Sequence, residues 1–154
     1  MTVVHVTVPT ALREARRSLE TLVDCLVQSD WQWHSVRGVW SLNIRLRTAP
    51  KSGGAIPPDT AWYLIASSEY PLGYIGIRPA REGGITGTRY HQLHNSPGDA
   101  STPWRDGEIC VRAPAQAFGR TGYDYEPFEP DERLAWHVAR ALEWLRRADA
   151  GCLV

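Results

Sequence analysis

Three apolar segments follow one another between residues 33 and 80, and the stretches that join them cannot be helices. In the first, 33–47, Val36, Gly38, Trp40, Leu42, Ile44 and Leu46 alternate with Arg37, Val39, Ser41, Asn43, Arg45 and Arg47. A period of two marks a strand with one face on a core. The second, "TAWYLIAS" (60–67), is a continuous apolar run and predicts a central strand; the third, "YIGIRPA" (74–80), predicts another short one. Between them lie "APKSGGAIPPD", too rich in Pro and Gly to be anything but a loop, and "EYPLG", a turn. Parallel neighbours need a long, usually helical crossover. These connections therefore predict an antiparallel meander and not a βαβ unit.

Helical spacing flanks the meander. Over 10–28, Leu12, Ala15, Leu19, Leu22, Val23 and Leu26 recur on one face, with Arg13, Arg16, Arg17 and Glu20 on the other. Thr10 is the expected N-cap, and Glu14 lies near the positive end of the dipole. A second helix is expected over 131–148. Pro130 suits its first turn, Asp131 and Glu132 its positive end, and Arg146 and Arg147 its negative end, with Gly151 to stop it. Its buried stripe is Leu134, Val138, Ala141, Leu142 and Leu145. Between meander and helix, 81–130 is irregular. Stretches this long are often functional, and this one holds both "YHQLHN" (90–95) and "PWRDGEICVRAP" (103–114). The order of elements predicts an α+β fold in a single domain over 1–154, long enough to bury a core.

Composition removes several classes. The chain is 43% hydrophobic and 22% charged with a formal net charge of zero, so no bulk field draws it to nucleic acid or to an anionic membrane. The opening residues, Met1-Thr2-Val3-Val4-His5, are not a signal peptide, and no apolar run approaches the ~18 residues of a membrane span. Cys25, Cys110 and Cys152 are too few and too irregular for a disulfide framework, which predicts a reducing, cytoplasmic setting. The seven tryptophans are expected in core and sheet packing.

Cys110 follows a turn signal, Asp106-Gly107, and sits in a short Gly-Glu-Ile-Cys-Val run. The residues admit three chemistries. A zinc site could use His91, His94 and Cys110, but no second cysteine pairs with Cys110, and neither His-x-Glu nor Pro-Cys-x-x-Cys is present. Histidines that bond the loop to itself are the simpler reading. A cysteine hydrolase would take His91, His94 or His137 as base. A stacking surface for single-stranded nucleic acid could use Arg37, Arg45 and Arg47 with Trp33 and Trp40, though a solvated strand face is favoured at zero net charge. Cys110 itself is a nucleophile or a buried thiol at a strand end, and Cys25, beside the apolar stripe, is a small core residue.

With these residues in order, the chain resembles the ubiquitin-conjugating enzymes, in particular bacterial forms fused to or encoded beside an activating enzyme. That family runs through an N-terminal helix, an antiparallel meander of about four strands, a Tyr-Pro turn, a His-Pro-Asn motif, Gly-x-Ile-Cys-Leu with the catalytic cysteine, and a helix packed behind the site. Tyr70-Pro71 is similar to the turn, Gly107-Glu108-Ile109-Cys110-Val111 to the cysteine motif, and the helix around Leu134-Ala135-Trp136 to the closing helix. The resemblance covers about 10–148. The His-Pro-Asn tripeptide is not intact: His91 with Asn95 a few residues on, or His94-Asn95 as a contracted pair, takes its place. The gap from Asn95 to Cys110 is longer than in eukaryotic members, and Trp104 is the expected anchor of that insert. The two helices that end many eukaryotic members are missing, as in a minimal bacterial form or a domain cut from a longer fusion with an activating-enzyme domain.

The resemblance implies an acyltransferase with a thioester on Cys110. The acyl group would come from the C-terminus of a cyclic-nucleotide synthase or a ubiquitin-like protein. A ThiF-like activating enzyme, which uses the ATP, would deliver it, and an amine would receive it; antiphage defence is one such setting. It implies no metal and no organic cofactor in this domain. Asn95 would support the loop and help hold the oxyanion, and His91, His94, Asp124 or Glu126 would take or orient the amine's proton. Asp106 and Glu108 would favour the protonated thiol and Arg112 oppose it. Arg13, Arg16 and Arg17 mark the helix where members dock the activating enzyme, or an ordinary solvated face. A binding module without chemistry and a cysteine hydrolase are the rival readings.

Overall fold

The computed structural model describes residues 6–48, 56–111, 125–149 and 151. Among them the order is α1 (Thr10–Glu20), β1 (Cys25–Val27), β2 (Gln32–His34), β3 (Val39–Arg47), β4 (Asp59–Ser67), β5 (Ile75–Pro79) and α2 (Pro130–Asp149). The class is α+β, as expected. All pairings are antiparallel: β3, β4 and β5 form the meander, and β1 and β2 both pair with β3.

Two boundaries differ from the expectation. The first helix ends at Glu20, capped by Pro9 and not Thr10, and the chain re-enters as β1, with Cys25 opposite Leu46 and Val27 opposite Ile44. Leu22 stays partly buried, but Val23 is 90% exposed. The long strand over 33–47 is broken by a turn at 35–38, where Gly38 takes φ +65 and Val36 is fully solvated. A positive φ is cheap only for glycine.

The alternation in β3 does what the sequence implied. Leu42, Ile44 and Leu46 are buried on one face, with Trp62, Leu64 and Ala66 of β4 beside them. Leu12, Ala15 and Leu19 of α1 and the predicted stripe of α2 close over the same core. Trp62 meets Trp144 of α2 edge to face at 6.2 Å. The opposite face is covered by the segment after β5. Trp104, 3% exposed, packs on Tyr63 and on His34, whose ring bonds Ser41. Trp104 is thus the anchor expected for the insert. Arg81 gathers that insert by donating to the carbonyls of Pro97, Asp99, Thr102 and Trp104.

The Tyr70-Pro71 turn, a cis peptide, docks on the first turn of α2. The Tyr70 hydroxyl donates to the Pro130 carbonyl at 2.7 Å and accepts from the Leu134 N–H at 3.1 Å, while Arg133 donates to the Pro71 carbonyl. The hydroxyl thus bridges the Pro130 carbonyl and the N–H four residues on, within the first turn of the helix, and Leu134 is fully buried. Burial pushes the Tyr70 hydroxyl up to about 12, so it stays neutral and can both donate and accept. Tyr70→Phe should therefore cost about 1–3 kcal/mol. Urea unfolding should show a lower midpoint at unchanged slope; an unchanged midpoint would contradict the bridging role.

Candidate functional site

Around Cys110 burial alternates along the chain, and Ile109 forms an isolated antiparallel bridge with Gln92. Ile109 and Val111 are buried, at 4% and 6% exposure, while Cys110 faces solvent and Glu108 is half-buried. Side chains two apart in an extended chain share a face, so Glu108 and Cys110 stand side by side. The segment is pinned on both edges. Ile109 N–H donates to the Ile77 carbonyl of β5 at 3.0 Å; on the other edge Cys110 N–H donates to the His91 carbonyl at 2.7 Å and Leu93 N–H to the Glu108 carbonyl at 2.9 Å. The irregular stretch thus adds strand-like layers to the β5 edge.

Asn95 lies beneath this layer, 4% exposed. Its amide donates to the Ile85 carbonyl at 2.8 Å and the Gly87 carbonyl at 3.1 Å, and its oxygen accepts from Arg105 Nε at 3.0 Å. A Cβ on Gly107 would fall 2.6 Å from the Asn95 side chain, so the glycine of the cysteine motif is where the backbone crosses the amide. Both amide hydrogens are thus engaged in holding the loop, and donation to an oxyanion would exchange one of them.

The other expected residues scatter. His91 reaches Cys110 through its backbone, in the left-handed region at φ +58. His94 is exposed, and its carbonyl accepts from Ser96 N–H. Glu126 is held by Arg133 and by His137 Nε2. Asp124, Arg112 and Cys152 lie outside the described residues. Arg13 and Arg17 of α1 are exposed, but Arg16 is tied to Glu20 at 2.9 Å, to Asp30 and to the Ser29 carbonyl.

An open cleft of about 320 Å³ runs past Cys110, and Tyr74, Glu108 and His137 line it too. Sequence reasoning gave Glu108 only a passive role. The Tyr74 hydroxyl donates to Glu108 Oε1, and Arg78 Nε lies 3.5 Å from the same oxygen without forming a hydrogen bond to it. Burial pushes the Glu108 carboxyl up to about 7. The nearby guanidinium favours the charged form, but desolvation wins. Gly76, inside β5, was the available signal: a Cβ there would meet the Tyr74 hydroxyl and fall 2.5 Å from Glu108 Oε1, and a glycine in a strand often marks such an approach. Among the described residues no group of three or more His, Cys, Asp or Glu could hold a metal, and no helix is long and apolar enough to cross a membrane.

No family model matches the chain. It is 28% identical, over 109 residues and 71% of its length, to the ATP-dependent ubiquitin transferase-like protein Cap2 of Enterobacter hormaechei subsp. hoffmannii (strain UCI 50), and the match spans 18% of that protein.

Two outcomes follow from this geometry. Cys25 is buried and its thiol is pushed up to about 12 by that burial. Iodoacetamide on the native protein should label Cys110 well before Cys25, read by peptide mass mapping; comparable rates would contradict the placement. Asn95→Asp would set a carboxylate oxygen against the Ile85 and Gly87 carbonyls and should cost about 1–3 kcal/mol in denaturant unfolding, whereas a neutral result would remove the brace.

Proposed function

We propose that the chain adopts a ubiquitin-conjugating-like fold and acts as an acyl carrier. It takes the C-terminal acyl group of a protein from an ATP-using activating enzyme as a thioester on Cys110, and it passes that group to an amine. The observation that carries this reading is the presentation of Cys110. It is an exposed thiol beside an open cleft, on a segment fixed by backbone hydrogen bonds to β5 and to 91–93. Thiol exchange needs an accessible sulfur at a defined position. The similarity to a ubiquitin transferase-like protein supports the reaction class. A ThiF-like activating enzyme is the proposed partner, and a cyclic-nucleotide synthase or a ubiquitin-like protein the proposed acyl donor, within bacterial antiphage defence.

The proposed roles are specific. Cys110 Sγ attacks the incoming thioester. Asn95 keeps the loop in place, and an oxyanion contact from it would come at the expense of its bond to Ile85 or Gly87. The His91 carbonyl holds the Cys110 backbone, and His94 stands at the exposed rim of the loop. One observation favours a second reading: His137, bonded to Glu126, lines the cleft of Cys110, and a thiol with an oriented histidine is the outline of a cysteine hydrolase.

The test is an adduct assay with ATP, the neighbouring activating enzyme and its acyl donor. A shifted gel band is expected that reductant removes, that Cys110→Ala abolishes, and that Cys25→Ala and Cys152→Ala leave in place. No band from folded protein with a demonstrably active activating enzyme would overturn the carrier reading. Steady hydrolysis of a model thioester, without partner or ATP, would establish the hydrolase.

A further inference from the structure

Resting on the carrier reading, we infer that Glu108, set in place by Tyr74 and by the space that Gly76 leaves, is the catalytic base that takes the proton from the attacking amine. Three observations meet there. Glu108 and Cys110 project from the same face of one extended segment, roughly 6–7 Å apart along it, and line the same cleft. An amine nitrogen attacking an acyl carbon on Cys110 Sγ would lie within reach of the Glu108 carboxylate. The carboxylate is also built in, with the Tyr74 hydroxyl on Oε1, Arg78 3.5 Å away, and a β5 backbone bare of side chain at Gly76 to admit both. Finally, a base works best when its pKa is near the working pH, and burial has moved this carboxyl to about 7.

Among the described residues, the groups that face Glu108 come from three elements. Tyr74 donates to it, Arg78 approaches from β5 and is shared with Asp106 at 3.8 Å, and His137 of α2 and Cys110 line the cleft. The step balances. The neutral amine nitrogen bonds to the carbonyl carbon while one proton passes from nitrogen to Glu108 Oε. The C–S bond then breaks, its electron pair goes to Cys110 Sγ, and the proton on Glu108 returns to that sulfur. The net change is amine plus thioester to amide plus thiol. Glu108 is the base only when ionised, so its contribution grows as pH rises through about 7.

The experiment loads Cys110 from a small peptide thioester, which bypasses the activating enzyme, and follows single-turnover discharge to free lysine from pH 5.5 to 8.5. Glu108→Gln should still form the reductant-sensitive adduct but discharge it about 10²-fold more slowly above pH 7. The ratio of parent to variant rate should climb through about pH 7 and then level. That ratio removes the ionisation of lysine itself. Gly76→Ala, whose Cβ would crowd both the Tyr74 hydroxyl and Glu108 Oε1 while leaving the carboxyl in the chain, should lower discharge in the same direction, and Tyr74→Phe should move the pH at which the ratio climbs. A charged Glu108→Gln protein that discharges like the parent overturns this inference and leaves the carrier reading standing. Slow discharge by a constant factor at every pH also overturns it, because a bracing role has no such pH dependence. No adduct on the parent protein overturns the carrier reading, and the inference with it.

Discussion

The Cys110 segment is held by backbone hydrogen bonds that point to opposite sides: Ile109 to β5, and Cys110 and Glu108 to the 91–93 stretch. Everything at the site depends on that clamp. It turns part of an irregular loop into an extended strip, and an extended strip sorts side chains by parity. Ile109 and Val111 are buried, while Glu108 is half-buried and Cys110 exposed, all beside one cleft. A thiol on a free loop would sweep many positions, and ordering it for each reaction would cost about 1–2 kcal/mol per backbone residue. Here that ordering is complete in the folded state.

An irregular segment can be this rigid only if its backbone polar groups find partners, because buried unpaired groups are costly. Two side chains do much of this: Arg81 collects four carbonyls of the insert, and Asn95 takes two and is itself bonded by Arg105. Trp104 adds ring packing, fixing the insert to the second face of the sheet through Tyr63 and His34. The sheet is thus covered on both faces, by helices on one and by this braced segment on the other. Its β5 edge receives the reactive strip.

The periodic parts of this fold were legible in the sequence, and the failures have physical causes. The stripe of α2 and the meander from β3 to β5 were expected from pattern and were found. The turn at 35–38 escaped notice because four residues preserve the period of two, so the alternation read straight through it. The helix over 10–28 ran too far because Leu22 and Leu26 continue its spacing; pairing of Cys25–Val27 with β3 overrides that local signal. At the site, Cys110 and Trp104 stood out by their neighbours in sequence. The engagement of both Asn95 hydrogens, the tie of Arg16 to Asp30, and the Tyr74–Glu108 pair are contacts between distant segments that no local pattern announces. Gly76 alone hinted at the last.

The most direct test of the account is to find where the acyl group sits. Cys110→Ser, co-expressed with the activating enzyme and acyl donor, should accumulate an ester that resists reductant, yields to mild base, and maps by tandem mass spectrometry to position 110. An acyl group mapped to any other residue, or none on a folded protein whose activating enzyme is loaded, would contradict the claim that this clamped strip exists to carry one.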